Sequence, residues 1–140
     1  MRIVFDTNVL ISAFIARGAS SELFEHCLRN HDIVASRYIL DEVDEVLGGK
    51  LGFPKREVQE VLGFLAGKLK LVEPELLDGP VSRDASDDPI IACAIASSAD
   101  CLVTGDEDLL VLKKHEGIPI IRPSDFWRFE KKQLGRKGKG

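Results

Sequence analysis

Apolar residues come in short unbroken blocks, separated by stretches with helical spacing. Ile3, Val4 and Phe5 run together without polar alternation, which fits a strand covered on both faces, as in a parallel sheet. Similar blocks at residues 33–35, 101–103 and 118–121, with a weaker one at 71–72, predict four or five short strands. Between them the pattern predicts helices. Residues 9–16 form one, broken at Gly18, and Ser20 or Ser21 caps a second through Leu28. Ser36 caps a third over 37–47, closed by Gly48-Gly49. Pro54 opens a fourth, up to about Leu69, and Pro89 a fifth through Ser97. A helical turn follows at 108–112, and Ser124 caps a last helix to about Lys132. Residues 73–85, with two prolines and a glycine, read as loop. Strands alternating with helices argue an α/β fold with a mainly parallel sheet.

A chain of 140 residues makes one domain with a core that needs no disulfide or metal staple. Cys27, Cys93 and Cys101 show no CxxC spacing and read as small buried hydrophobes. No run is long enough to span a membrane and no export signal opens the sequence, so the expected location is the cytoplasm. Residues 1–127 carry 13 basic against 22 acidic side chains, and residues 128–140 carry 6 against 1. The expected organisation is a domain over 1–130 and a basic, disordered tail over 131–140. An acidic body does not grip nucleic acid through a broad positive face. A polyanionic substrate would need local neutralisation there, which bound metal ions supply.

The acidic residues have a pattern of their own. Asp6 stands at the carboxyl end of the first strand, and Asp106 follows the block Cys101-Leu102-Val103 after Thr104-Gly105. In a parallel sheet both carboxylates emerge along the edge where ligands bind. Asp87-Asp88-Pro89 opens a helix that is apolar nearly all round (Ile90, Ile91, Ala92, Cys93, Ala94, Ile95, Ala96) and is therefore buried. A helix cap explains one of these aspartates but not both. In the third helix Ile39, Leu40, Val43, Val46 and Leu47 form the buried stripe. Glu42 and Asp44 flank it, Asp41 and Glu45 face away, and spacing does not choose between the flanking pair. The three histidines, His26, His31 and His115, lie away from these motifs and read as surface residues.

Taken in order, Ile3-Val4-Phe5-Asp6-Thr7-Asn8, Ile39-Leu40-Asp41-Glu42, Asp87-Asp88-Pro89-Ile90-Ile91-Ala92, Leu102-Val103-Thr104-Gly105-Asp106-Glu107-Asp108 and Ile118-Pro119-Ile120-Ile121-Arg122-Pro123-Ser124-Asp125-Phe126 resemble the PIN-domain family of metal-dependent ribonucleases. The likeness is to the branch that supplies toxins of prokaryotic toxin–antitoxin pairs, of the VapC kind. It implies a three-layer α/β/α fold and an acidic, metal-binding crevice. It also implies Asp6, Glu42, Asp88 and Asp106 as catalytic metal ligands, which resolves Glu42 over Asp44. Asp108 would be a further metal ligand. Asn8 and Thr104 would orient the carboxylates, and Asp87 would support them from behind.

Oxygen-only ligands select hard ions, Mg²⁺ or Mn²⁺, and no His or Cys stands beside these acids to favour zinc. The expected reaction is hydrolysis of a phosphodiester by metal-activated water, and the resemblance implies RNA as its substrate. Arg83, Arg37 and the lysines of the tail are candidates to hold the RNA backbone. A cognate antitoxin and a homodimer are implied by the resemblance alone. The rival readings are a catalytically idle PIN-like module that binds RNA or a partner, and a haloacid-dehalogenase-like phosphohydrolase. The latter wants a second Asp two residues after the first, where this chain has Asn8.

Overall fold

The first strand, β1 (Arg2–Phe5), lies at the centre of the sheet and has Ile3, Val4 and Phe5 almost wholly buried. In this computed structural model, residues 1–75, 79–82 and 87–138 are described, with side chains through residue 135. Around β1 stand β2 (Asp32–Ser36), β3 (Lys70–Val72), β4 (Cys101–Val103), β5 (Lys114–His115) and β6 (Ile118–Ile121). The sheet order is β3-β2-β1-β4-β6-β5, and every pairing is parallel except β5 with β6.

The helices are α1 (Thr7–Ile15), α2 (Ala19–Asn30), α3 (Arg37–Asp44), α4 (Lys55–Lys68), α5 (Asp88–Ala96), α6 (Glu107–Leu110) and α7 (Phe126–Gly138). The connections β1 to β2 and β2 to β3 step one way across the sheet, and β3 to β4 steps back over it. Right-handed crossovers then place helices on both faces. The result is the expected three-layer α/β/α arrangement.

Among the described residues the sheet has six strands, where four or five were expected. The sixth, β5, is only two residues long, held by a tight turn in which Glu116 and Gly117 both take positive φ, as a two-residue hairpin requires. Ser36 caps α3 as read, its hydroxyl accepting the Ile39 N–H at 3.4 Å. After α3 the chain does not stop at Gly48-Gly49. It widens into a π-helical turn over Glu45–Lys50, which keeps Leu47 buried with Leu40 and Val43. The last helix also runs past residue 130, to Gly138. The stretch that follows Glu130 (Lys131, Lys132, Gln133, Leu134) consists of good helix formers, which lets α7 continue where disorder was expected.

The three cysteines are free and buried. Burial pushes the Cys27 thiol up to about 12 and that of Cys93 up to about 11, so neither is a ready nucleophile. Among the described residues, no helix is long and apolar enough to cross a membrane.

Phe126 is completely buried at the start of α7, with its ring 6.0 Å from His31 and 5.9 Å from Trp127. Phe126→Ala should lower the unfolding free energy by about 3–5 kcal/mol. Urea denaturation checks this. A loss under 1 kcal/mol would mean that α7 is not part of the cooperative core.

Candidate metal centre

The strand register decides which side chains meet. Phe5 pairs with Val103 and Val4 with Val34, so Asp6, Thr104 and Ser36 leave the sheet at the same level of its carboxyl edge. The Asp6 N–H closes the last rung by donating to the Val103 carbonyl at 2.9 Å. The side chain of Asp6 is 4% exposed and that of Thr104 is wholly buried. Thr104 Oγ1 donates to Asp6 Oδ2 at 2.7 Å and accepts the Asp106 N–H at 3.0 Å. One hydroxyl thus ties the two strand-end acids together. Asp106 Oδ1 in turn accepts the Asp108 N–H at 2.9 Å and caps α6.

Glu42 arrives from α3. It is half-buried and accepts a 2.8 Å hydrogen bond from Thr7 Oγ1, at the first position of α1, while Asp44 is exposed. The flanking pair that spacing left open is therefore separated by the tertiary contact with α1.

The pair at the start of α5 splits differently from the motif assignment. Asp87, 6% exposed, offers an oxygen that lies, with one from Asp106 and one from Asp108, in a group whose atoms are all within 4.8 Å of one another. Asp88 instead accepts the backbone N–H of Ser82 at 2.8 Å and that of Val81 at 3.3 Å. The residue expected behind the site stands in the carboxylate group, and the residue expected as a ligand pins the preceding loop. Ser82 also reaches Asp87 Oδ2 and the Asp108 carbonyl, both at 3.4 Å.

Asn8, expected to orient a carboxylate, is exposed. Thr7 beside it has the contact instead. Its signal in the sequence is a hydroxyl immediately after the strand-end acid. Arg37 is exposed and paired with Asp41 at 3.2 Å. Arg83 lies outside the described residues. The histidines depart further from expectation: His26 and His31 both meet Glu130, and the His31 side chain is only 5% exposed.

Electrostatics follows from this packing. Burial raises the pKa of Asp6. Hydrogen bonds from Thr104 and the Thr7 backbone oppose the rise, and the charge of Asp106 adds to it. Glu42 is raised too, by burial first; the Thr7 hydroxyl opposes, and Asp6 and Glu45 add. Asp6 feels Asp106 and Glu42 feels Asp6, so a cation placed among them would relieve desolvation and repulsion together.

A carboxyl whose pKa is higher folded than unfolded contributes stability at low pH. That contribution disappears as pH rises from the ordinary carboxylate value through the raised one. The unfolding free energy of the metal-free protein, measured relative to Asp6→Asn, should therefore fall with pH across that window and then level. Asp32, held low chiefly by its bond to Lys70, contributes in the opposite sense but equally in both proteins, and cancels. Parallel curves would show that the Asp6 carboxyl is unperturbed.

A family model described as PIN domain matches residues 2–108. No curated protein matches the sequence. Among solved structures, the chain is similar to VapBC2 from Rickettsia felis, bound to a DNA fragment from its promoter. The identity is 18%, with 87% of this chain and 98% of that one covered and a TM-score of 0.61. It is also similar to VapC20 of Mycobacterium tuberculosis, a toxin that cleaves the sarcin-ricin loop (12% identity, 84% and 99% covered, TM-score 0.57). FitAcB of Neisseria gonorrhoeae matches at 18% identity, with 86% and 97% covered and a TM-score of 0.52. At such identities the structural likeness carries the fold alone.

Proposed function

The chain belongs to the PIN-domain family, and on that premise we propose that it is a metal-dependent endoribonuclease, the toxin of a toxin–antitoxin pair. The observation that supports this most is the meeting of acids from separate segments at one sheet edge. Thr104 joins Asp6 to Asp106, Asp106 groups with Asp87 and Asp108, and Asp6 acts electrostatically on Glu42.

The donor set fits a hard divalent ion. Its ligating atoms are carboxylate oxygens, which suit Mg²⁺ or Mn²⁺. Asp87, Asp106 and Asp108 would hold an ion, with Asp6 and Glu42 lending charge and further oxygens. When bound, such an ion lowers the pKa of water and offsets charge on the leaving oxygen of a phosphodiester. The protein's own part is positioning. Thr104 fixes the carboxylate plane of Asp6, Thr7 fixes Glu42, and Asp88 holds the chain ahead of Asp87. None of these groups is placed as a covalent nucleophile with an adjacent base, so direct hydrolysis is the reaction they favour.

The reading extends to a cognate antitoxin, which the likeness to VapBC2 and FitAcB supports, and to a homodimer, which rests on the family resemblance alone. The domain would comprise residues 1–130, with the remainder of α7 as its basic extension. RNA is the substrate on this reading, and the likeness to VapC20, a toxin that cleaves the sarcin-ricin loop, is in keeping with it.

The test is cleavage of a mixed RNA pool by the purified chain with Mn²⁺ or Mg²⁺, with and without chelator. Cleavage that needs the ion and stops with chelator is expected. RNA binding without cutting under all metals would instead support an idle module.

A further inference from the structure

Away from the acidic edge, a second group of ligating atoms joins α2 to α7. His26 Nε2 lies 2.6 Å, and His31 Nε2 2.5 Å, from the same oxygen of Glu130, Oε2. His26 projects from α2, His31 stands just beyond its end, and Glu130 is on α7. The three side chains are 25%, 5% and 14% exposed, respectively. Phe126 and Trp127 wall the group, the Trp127 ring centre lying 4.7 Å from that of His26.

We propose that His26, His31 and Glu130 form a metal site for a borderline transition ion such as Zn²⁺, which fastens the last helix to α2.

Three features support this. The donor set, two imidazoles and a carboxylate, is the kind that Zn²⁺ takes and Mg²⁺ does not. Both rings direct the same type of nitrogen at a single oxygen, so three ligand atoms already converge. Ligand atoms around a tetrahedral zinc stand about 3.3 Å apart, and the three atoms here all lie within 4.8 Å of one another, so a local rearrangement of the side chains would admit the ion. The burial also matters. A half-buried carboxylate between imidazoles is compensated by a divalent charge, and the open side at His26 leaves an entry path. A polar group stands behind the His26 ring, where contacts orient ligating imidazoles. The Asn30 side chain is 3.3 Å from His26 Nδ1; the Met1 ammonium, 3.2 Å from His31 Nδ1, only donates and must swing aside for that ring to carry its proton on Nδ1 while Nε2 ligates. Turning the Asn30 amide end for end would present its oxygen to the His26 ring N–H, at the loss of its 2.9 Å bond to the His26 carbonyl.

The alternative is a clasp of two ring N–H groups donating to Glu130, with no ion. Calorimetric titration of the full-length chain with Zn²⁺ separates the two. The Asp87→Asn/Asp106→Asn double variant should be titrated alongside, because it disables the acidic edge as a competing site. One Zn²⁺ per chain, retained in the double variant and weakened about 100-fold or more in His26→Ala and Glu130→Gln, is the expected result. Saturating Zn²⁺ should raise Tm by about 5–10 °C in the double variant and leave unmoved the same variant carrying His26→Ala. Because Glu130 also ties α7 to α2, Co²⁺ absorption of the unsubstituted chain gives a second readout that does not depend on a substitution. Four-coordinate visible bands that Zn²⁺ abolishes support the site. Absence of those bands, or equal Zn²⁺ affinity in all four proteins, overturns it.

Discussion

Asp6→Asn should reduce RNA cleavage by about 10³-fold while leaving the fold intact and somewhat more stable. The activity loss follows from position. Asp6 is the acid that Thr104 ties to Asp106 and that Glu42 feels, so its charge bears on the whole group. Removing it costs several kcal/mol of transition-state stabilisation, and each 1.4 kcal/mol is about tenfold in rate. The stability gain follows from burial, because a carboxylate 4% exposed is raised in pKa by desolvation and an amide of the same shape is not penalised in that way. Gel-based cleavage with Mn²⁺, together with thermal unfolding, measures both. Full activity in this variant would remove the acidic edge as the catalytic site. Lost activity with a large drop in Tm would show instead that Asp6 is structural.

The second large effect separates two neighbours. Asp87→Asn should lower cleavage by about 10²-fold with little change in unfolding free energy, since Asp87 supplies an oxygen to the group with Asp106 and Asp108. Asp88→Ala should act chiefly on stability, costing about 1–3 kcal/mol as the N–H groups of Val81 and Ser82 lose their acceptor. Asp88→Asn retains an acceptor oxygen and should keep most of both. Should Asp88→Asn instead abolish cutting while Asp87→Asn spares it, the assignment by motif position is the correct one. Metal affinity measured by titration with Mn²⁺ should follow the same order as cleavage.

The two neighbours also mark where a sequence stops being informative. Their separation goes with Val81 and Ser82, whose N–H groups turn onto Asp88 and not onto Asp87. Nothing in the spacing Asp87-Asp88-Pro89 encodes that choice. Glu42 and Asp44 show the same limit on a helix. Periodicity narrows the choice to the flanks of the buried stripe, and the Thr7 hydroxyl of a different helix singles out Glu42. His26, His31 and Glu130 are the extreme case, because His26 and Glu130 are 104 residues apart and no local pattern relates them.

By itself the sequence determined the alternation of strands and helices, the parallel sheet, and the emergence of Asp6 and Asp106 along one edge. These are consequences of short-range rules: apolar blocks make covered strands, and a strand's end fixes where the next residue leaves the sheet. Only the tertiary structure decided which carboxylate oxygens share a space, which hydroxyls hold them, and that two histidines close on a glutamate from the far end of the chain. Those outcomes depend on loop paths and helix contacts set by packing between distant segments, and a linear pattern carries direction along an element but not the distance between elements.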